Sequence, residues 1–403
     1  MVTMKKRTAA LAFSALFCLM TLLAGGNLYA GNDFKEARFG IITALSGPAS
    51  PWGIPNSRAM MLDAERINNE GGFTVDGDTY KWKVFTYDHE YIPARAVQAL
   101  NRAIHNDKVS FVSVQGGAPL LACIPTLKQN NMLSLNEAAG GKAVTNPDNP
   151  LVFRYNPAIE GAYATGLDYF IEKYDIQTVA SINPDDEAGR SAVEALSYVN
   201  EVGDFNLEVV ASEFFERGSQ NFVPVLSRII RRNPDLIETG MMDPSSQALL
   251  LKQARELGYE GQIYLVWGPN EAQVLRIAGS LAEGVYMGTS GPLEPDTEGS
   301  KDLYERFLKK YDADEWDANY YTHSALFTPL TKAIEKAQSF DPNEIANVMQ
   351  DLEWQGAQGT HYFGGEKLFG IKRQMLSPTT LRTVQNGEAV TAKRADVPPG
   401  ILD

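Results

Sequence analysis

Short runs of β-branched and aromatic residues alternate with amphipathic helical patterns, and this alternation limits the possible folds more than any other feature. Each strand-plus-helix unit takes about 30 residues, as expected for a parallel sheet with crossover helices. The predicted strands are 38–45, 81–88, 111–115, 132–135, 178–182, 207–211, 236–239 and 262–266. The predicted helices are 57–69, one from 93 onward, 160–173, 188–202, 222–232, 245–257, 303–311, 320–337 and 343–352. After residue 360, alternating apolar residues predict antiparallel strands. The chain of 403 residues is therefore expected to form two α/β lobes.

The first thirty residues have the pattern of a secretory signal peptide. Lys5, Lys6 and Arg7 precede an uncharged, mostly apolar run at 8–24, and small and turn residues follow as far as Ala30. We expect cleavage after Ala30, with Ala24 as the other possible site. The alternative is a membrane anchor, since the apolar run is close to the shortest spanning length.

Charge and cysteine content narrow the class further. The chain has 36 Lys and Arg against 50 Asp and Glu, and removal of residues 1–30 with their three cations changes the net charge from −14 to −17. A binder of nucleic acid or of anionic membranes needs a cationic face, so these partners are not expected. Cys123 is the one cysteine beyond the leader, so no intramolecular disulfide is expected. Neither cysteine follows a lipidation box, so we expect a mature protein that is free in solution.

Common catalytic motifs are absent from the sequence, which has no GxSxG, Walker A, GxGxxG, HExxH or CxxC pattern. His89 stands between Asp88 and Glu90 and could form one corner of a metal site, but such a triplet at a strand end is more typical of a solvated turn. We therefore expect no enzyme, no cofactor and no metal.

Glycine-rich and polar turns follow several predicted strands. In open α/β sheets, ligands bind at the carboxyl ends of the strands. At 116–119, two glycines and Pro119 open a helix whose free N–H groups suit a carboxylate, and Pro125 should kink this helix or begin a second one. The turns are 44–48 followed by Trp52, then 116–119, 136–141, 183–189, 241–244 and 267–271. Any one of them could be a simple turn, but their convergence between two lobes predicts a binding cleft.

The order of these segments resembles the leucine/isoleucine/valine-binding protein family, the type I periplasmic solute-binding proteins of ABC importers. The matching segments are FGIITALSGPASPWG, NNEGG, DHEYIPARAVQALNRAI, RGSQNFVPVLSRI, QALLLKQARELGYEGQIYLVWGPNE and IAGSLAEGVYMGTS. The resemblance implies a two-lobed type I periplasmic binding protein fold, in which each lobe is a mostly parallel sheet flanked by helices and the ligand lies in the interlobe cleft. It implies a first lobe of 31–155 plus 287–378 and a second of 156–286 plus 379–403.

The resemblance also implies candidate ligand-binding residues. The family's aromatic residue over the ligand falls on Trp52. Its carboxylate-binding turn falls on Gly117 and Ala118, and its second carboxylate and ammonium turn falls on Ala138, Ala139 and Gly140.

Four departures from the family pattern concern the nature of the ligand. Glycines 117 and 140 replace hydroxyl residues, and Ala188 and Met242 replace aromatic residues, which suggests a larger pocket. The acid that would hold an ammonium group aligns with Asn270, although Glu271 is adjacent. Asp186, Glu187 and Tyr320 are weaker candidates, because such residues are usually structural.

The resemblance predicts a monomeric periplasmic protein that captures an amino acid or a related organic acid by lobe closure and delivers it to a membrane permease. Two alternatives remain open from the sequence. The same fold can present its ligand to a membrane receptor, and an exported α/β enzyme is a third reading.

Overall fold

Two mostly parallel sheets organise the computed structural model, which describes residues 34–138, 141–289, 291–292, 294–396 and 400–402. The predicted signal peptide therefore lies outside the described residues. The first sheet has the strand order β12-β13-β14-β6-β5-β4-β1-β3-β2. Its strands are β1 (Lys35–Thr43), β2 (Phe73–Val75), β3 (Asp78–Asp88), β4 (Phe111–Val114), β5 (Leu133–Asn136), β6 (Val152–Arg154), β12 (Glu353–Gly356), β13 (Gly359–Gly364) and β14 (Gln374–Leu376).

The second sheet has the order β16-β15-β11-β10-β9-β7-β8. Its parallel part contains β7 to β11, and β15 and β16 add an antiparallel edge. The strands are β7 (Thr178–Pro184), β8 (Glu208–Phe215), β9 (Leu236–Thr239), β10 (Gln262–Leu265), β11 (Tyr286–Thr289), β15 (Thr379–Gln385) and β16 (Glu388–Ala395). Strand β11 pairs with β10 and β15, so Tyr286–Thr289 belongs to the second sheet.

The helices connect successive strands, as the alternation predicts. They are α1 (Ser50–Asn69), α2 (Pro93–His105), α3 (Gly117–Gln129), α4 (Gly141–Val144), α5 (Ile159–Tyr174), α6 (Glu187–Val202), α7 (Val223–Ile230), α8 (Pro244–Glu256), α9 (Glu271–Ala278), α10 (Glu298–Leu308), α11 (Phe327–Ala337), α12 (Pro342–Met349) and α13 (Glu366–Phe369). Three short 3₁₀ segments lie at Gly279–Ala282, Ala313–Glu315 and Ala318–Tyr321. No described helix is long and apolar enough to cross a membrane.

Some helix starts differ from the prediction, and one of the two outcomes predicted at Pro125 is excluded. Helix α1 begins at Ser50 and not at residue 57. The predicted helix 320–337 is a 3₁₀ turn followed by α11, because the buried Asp63 carboxylate accepts hydrogen bonds from the Phe327 and Thr328 backbone N–H groups and so fixes a new helix start. Helix α3 continues through Pro125, so no second helix begins there.

Apolar side chains bury both faces of the central strands, whereas the edge strands β8 and β16 have exposed positions. Strands β4, β5 and β6 are buried at every position, as expected for central strands covered on both faces. The described residues from Glu36 onward form one compact unit. The fold directs the carboxyl ends of two sets of parallel strands toward the site described next.

Candidate ligand-binding site

Two adjoining cavities lie where strands of both sheets end. The larger spans about 500 Å³ and the smaller about 290 Å³, both including space open to solvent, and both are lined by Glu137 and Trp267. The other residues of the smaller cavity are Trp52, Tyr91, Gln115, Gly116, Ala138, Asn156 and Met241. Those of the larger are Pro157, Ala162, Thr165, Tyr264, Val266, Gly268, Gly288, Thr289, Asn319, Thr322, Thr379, Thr380 and Leu381. Carboxyl ends of parallel strands are the usual ligand site of open α/β sheets.

Trp52 connects the elements of the two sheets. It stands in the first turn of α1, after β1, and its indole Nε1 donates to the Gly268 carbonyl at 3.0 Å, just after β10. Gly268 has a φ of +51°, and a Cβ there would lie 3.2 Å from the Trp52 Nε1. The close approach therefore favours glycine, and Trp52 forms an apolar wall with one directed hydrogen bond.

Tyr91 is held in the smaller cavity by unusual backbone geometry. Glu90 and Tyr91 have φ angles of +51° and +62°, a region that is strained for a bulky residue. The Tyr91 ring packs on Gly116, where a Cβ would lie 2.6 Å from ring atom Cε2. On its other side the Arg217 guanidinium lies 4.9 Å from the ring centroid. The hydroxyl also interacts with the Gly117 backbone N–H, so Tyr91 covers the start of α3.

His89 holds Tyr91 in this position. Its Nδ1 accepts the Tyr91 backbone N–H at 2.9 Å, which leaves Nε2 to donate to the Gln115 carbonyl at 2.9 Å. Burial lowers the pKa of His89 to about 4, so the ring is neutral at neutral pH. The interpretation of His89 as a solvated turn residue is therefore wrong, because the side chain is fully buried. Among the described residues, no group of three or more His, Cys, Asp or Glu is placed to hold a metal ion.

Glu137 is a carboxyl group shared by both cavities. It follows β5, is 8% exposed, and accepts a hydrogen bond from the Asn56 Nδ2 at 2.5 Å. Burial raises the pKa of Glu137 to about 8, although the nearby amides of Asn56 and Gln115 act in the opposite direction. The carboxyl is therefore mostly protonated at neutral pH. Its turn at 136–141 was predicted to face the cleft, but Glu137 itself was not among the predicted ligand-binding residues.

Several buried polar atoms on the cavity walls have no hydrogen-bond partner of normal geometry within the described ranges. They are the Nε2 of Gln115, the Nδ2 of Asn319 and the Oγ1 of Thr380. Gln115 is fixed at its other end, since its Oε1 accepts from the Thr43 hydroxyl and the Ala44 backbone N–H. The Gln115 side chain still interacts with the Glu137 carboxyl and that of Asn319 with the Asp317 carboxyl, so hydrogen bonds to a ligand would complete their partial bonding.

The residues predicted in the first sheet are only partly brought together. Trp52 and Ala138 line the smaller cavity. Gly117 is buried beside Tyr91, and Ala118 is half-buried in the first turn of α3, but neither is among the cavity-lining residues. The predicted residues Ala139 and Gly140 lie outside the described residues.

The apolar residues predicted from the second sheet do not line a cavity, but Met241, next to one of them, does. Met242 is fully buried in the core beside β9, whereas Met241 lines the smaller cavity. Ala188 is buried in the core of the second sheet and lines neither cavity. Glu187 opens α6 and is half-buried, and burial raises its pKa, but it also lies outside both linings.

The polar residues predicted at the end of β10 have structural partners. Asn270 caps α9 by accepting the Gln273 backbone N–H at 2.8 Å and donates to the Asp317 carboxyl at 2.9 Å. Glu271 forms a buried ion pair with Arg382, so it is not available to an ammonium group.

Tyr320 also lies outside the cavity linings. It stacks on Trp316 in an aromatic cluster. Its hydroxyl accepts from Arg58 at 3.3 Å.

Comparisons with known proteins agree with this architecture. The profile of the family described as Periplasmic binding protein matches residues 36–388. A leucine-, isoleucine-, valine-, threonine- and alanine-binding protein from Pseudomonas aeruginosa is 26% identical, over 86% of this chain and 90% of its own length.

Solved structures share the fold. A leucine-binding protein from Thermotoga maritima has a TM-score of 0.74 at 22% identity, covering 89% of this chain and 99% of its own. An ABC transporter solute-binding protein from R. palustris in complex with 4-hydroxybenzoate has a TM-score of 0.76 at 18% identity, covering 90% and 98%. The predicted fold class is thus confirmed. These relatives are solute-binding proteins rather than enzymes, and the chain belongs to the periplasmic binding protein family.

Proposed function

We propose that this chain is the extracytoplasmic solute-binding protein of an ABC importer. It captures a small carboxylate-bearing ligand, an amino acid or a related organic acid, and delivers it to a membrane permease. Family membership and the signal-peptide pattern support export to the periplasm. The relatives bind amino acids in one case and 4-hydroxybenzoate in another, both of which carry a carboxylate beside an apolar body.

The observation that carries the proposal is the pair of cavities shared by Glu137 and Trp267. Trp52, Trp267 and Met241 supply apolar walls for the ligand body. The amide donors of Gln115 and Asn319 supply hydrogen bonds for acceptor oxygens. Apolar walls with a few convergent polar groups are typical of small-molecule sites.

Lobe closure is part of the proposal. We assign 31–155 plus 290–378 to the first lobe and 156–289 plus 379–403 to the second, and the pairing of β11 within the second sheet supports moving this crossing to Thr289. The Trp52–Gly268 hydrogen bond and the Tyr91–Arg217 contact join segments of different lobes. Both contacts should therefore form when the lobes close.

The test is identification of the ligand by mass spectrometry of purified, denatured protein, followed by calorimetry with that ligand. A ligand that binds only the folded protein raises the melting temperature as its concentration increases. Release of a neutral sugar, with no carboxylate stabilising the protein, would contradict the proposal. Loss of uptake of that ligand in cells lacking the gene would test the transport role.

Replacement of Trp52 by Phe tests the closure contact. The variant keeps an aromatic wall but loses the hydrogen bond to Gly268, so we expect affinity to fall about two- to tenfold, equivalent to about 0.5–1.5 kcal/mol. Trp82→Phe is the matched control, because Trp82 is equally buried and its indole donates to Thr331 at 2.9 Å within the core. The control should lose stability without losing affinity. Equal affinities in both variants would remove the proposed role of Trp52.

A further inference from the structure

The cavity walls contain a carboxyl group and no opposing cation. Within residues 34–138 and the other described ranges, neither cavity is lined by Lys or Arg. Two other titratable side chains share the lining, Tyr91 and Tyr264, and burial raises the pKa of both, so they are neutral. If Glu137 were ionised, a ligand carboxylate beside it would place two anions in a buried space without a counter-charge. Two neighbouring anions in such a space repel each other strongly. A proton on one of the two carboxyl groups removes this repulsion.

The amide donors of the lining indicate which chemical group of the ligand lies there. Gln115 and Asn319 both present amide N–H donors; the Gln115 side chain also interacts with the Glu137 carboxyl, and that of Asn319 with the Asp317 carboxyl. Amide donors are satisfied by acceptor oxygens, which a carboxylate has and an ammonium group lacks. An ammonium group would add further donors beside these amides.

We propose that Glu137 binds the ligand as a neutral acid and donates its proton in a hydrogen bond to the ligand carboxylate, next to the Gln115 amide. The proton stays on Glu137, and where the free protein has lost it, one proton is taken up from solvent on binding. The preferred ligand class is then an organic acid with an apolar or aromatic body and no α-ammonium group. This inference rests on the proposed function and specifies its ligand.

The groups around Glu137 determine how the pH dependence is interpreted. Asn56 on α1 and Gln115 after β4 are uncharged. Behind Tyr91 lies the ion pair of Arg217 and Asp186, with 2.6 Å between Nε and Oδ2. On the side of Asn319 lies Asp317, whose pKa is raised to about 7 by burial. Because Asp317 also titrates near neutral pH, a variant of Glu137 is needed to isolate the Glu137 contribution.

The experiment is titration calorimetry of the full mature chain with matched pairs of probes. The pairs are 3-phenylpropionate with phenylalanine and 4-methylpentanoate with leucine, which differ only in the α-ammonium group. Each is measured at pH 7, and the two organic acids are also measured at pH 6 and 9 in buffers of different ionisation enthalpy. The proteins are the parent, Glu137→Gln and the control Glu187→Gln, since Glu187 lines neither cavity.

We expect the organic acids to bind more tightly than their amino-acid partners. Their affinity should fall about tenfold from pH 7 to pH 9, because only about a tenth of the free protein then holds the proton, and proton uptake should approach one at pH 9. Glu137→Gln keeps a neutral donor, so it should retain binding and lose both the pH dependence and the proton uptake. The control should behave like the parent.

Two results would overturn the inference. One is amino acids binding more tightly than organic acids and losing affinity in Glu137→Gln, which would assign Glu137 to an ammonium group. The other is organic-acid binding in the parent without pH dependence or proton uptake, a readout that does not depend on folding of the variant. If none of the four probes binds the parent at any pH, the proposed carboxylate-binding function itself fails.

Discussion

Replacement of Glu271 by Gln should destabilise the protein while leaving its ligand chemistry unchanged. Glu271 opens α9, and Arg382 lies on β15. Both side chains of the pair are nearly inaccessible, at 2% and 7% exposure, and the Arg382 Nη2 lies 3.3 Å from the Glu271 Oε2. Arg382 has further bonds, to the Thr391 hydroxyl at 3.1 Å and the Ala389 carbonyl at 2.7 Å.

The magnitude follows from the charge left behind. Gln has the shape of Glu, so packing is retained, but the guanidinium of Arg382 becomes a buried charge without its counter-ion. Removal of one partner of a buried ion pair costs about 3–5 kcal/mol. The remaining bonds of Arg382 to Thr391 and Ala389 favour the lower end, about 3 kcal/mol. This corresponds to a fall in melting temperature on the order of 5 °C.

The assay is thermal and urea unfolding of parent and variant, with affinity for the identified ligand measured on the folded protein. Glu65→Gln is the control, because its ion pair with Lys310 is exposed, at 44% and 42%, and exposed pairs contribute about 0–1 kcal/mol. Equal stability of the two variants would refute the reasoning. If the Glu271 variant is stable but binds the ligand weakly, Glu271 is a ligand-binding residue. Its position next to Asn270 in the sequence had suggested that role.

Two further pairs of variants test the geometry of the smaller cavity. Gly116→Ala places a Cβ against the Tyr91 ring, and Gly77→Ala is its control, because Gly77 has a similar positive φ but open space around it. The Gly116 variant should lose about 1–3 kcal/mol more of its free energy of unfolding in urea than the control. Equal losses would contradict the packing of Tyr91 on Gly116. Met241→Ala should weaken ligand binding in calorimetry, because Met241 lines the smaller cavity. Met242→Ala should instead lower the free energy of unfolding by about 2–5 kcal/mol, because Met242 is buried in the core. The reverse result would support the sequence-based prediction that Met242 contacts the ligand.

The alternation of strand and helix patterns predicted the fold well, because each βα unit buries its own apolar stripe and local pattern determines the element. The prediction was wrong where a distant residue determines the local structure. Helix α11 begins at Phe327 because Asp63, 264 residues away in sequence, accepts its backbone N–H. Pro329, in the first turn of α11, is a local signal of this start that the prediction of one helix over 320–337 did not use.

The site was less predictable than the fold. Trp52 and Ala138 line the smaller cavity; strand-end turns predicted where a cleft forms, and the family resemblance placed candidate residues at these two positions. Tyr91 depends on two consecutive left-handed residues and on the buried His89, and residue type alone does not indicate that backbone geometry. Glu137 belongs to a turn that was selected for its glycines. Its environment comes from Asn56 on α1 and from Trp267 in the turn after β10, which are remote in sequence.

The acidity of the chain poses a question that the cavity geometry helps to answer. A protein with a net charge of −14 provides no attractive field for an anion, so binding of a carboxylate requires local compensation. The N-terminus of α3 was the predicted source, but Tyr91 covers Gly117 there. Burial without a neighbouring cation instead makes Glu137 a weak acid that can hold a proton at neutral pH. An acidic side chain thus becomes a hydrogen-bond donor, and an anion can be bound without any cation in the cavity walls.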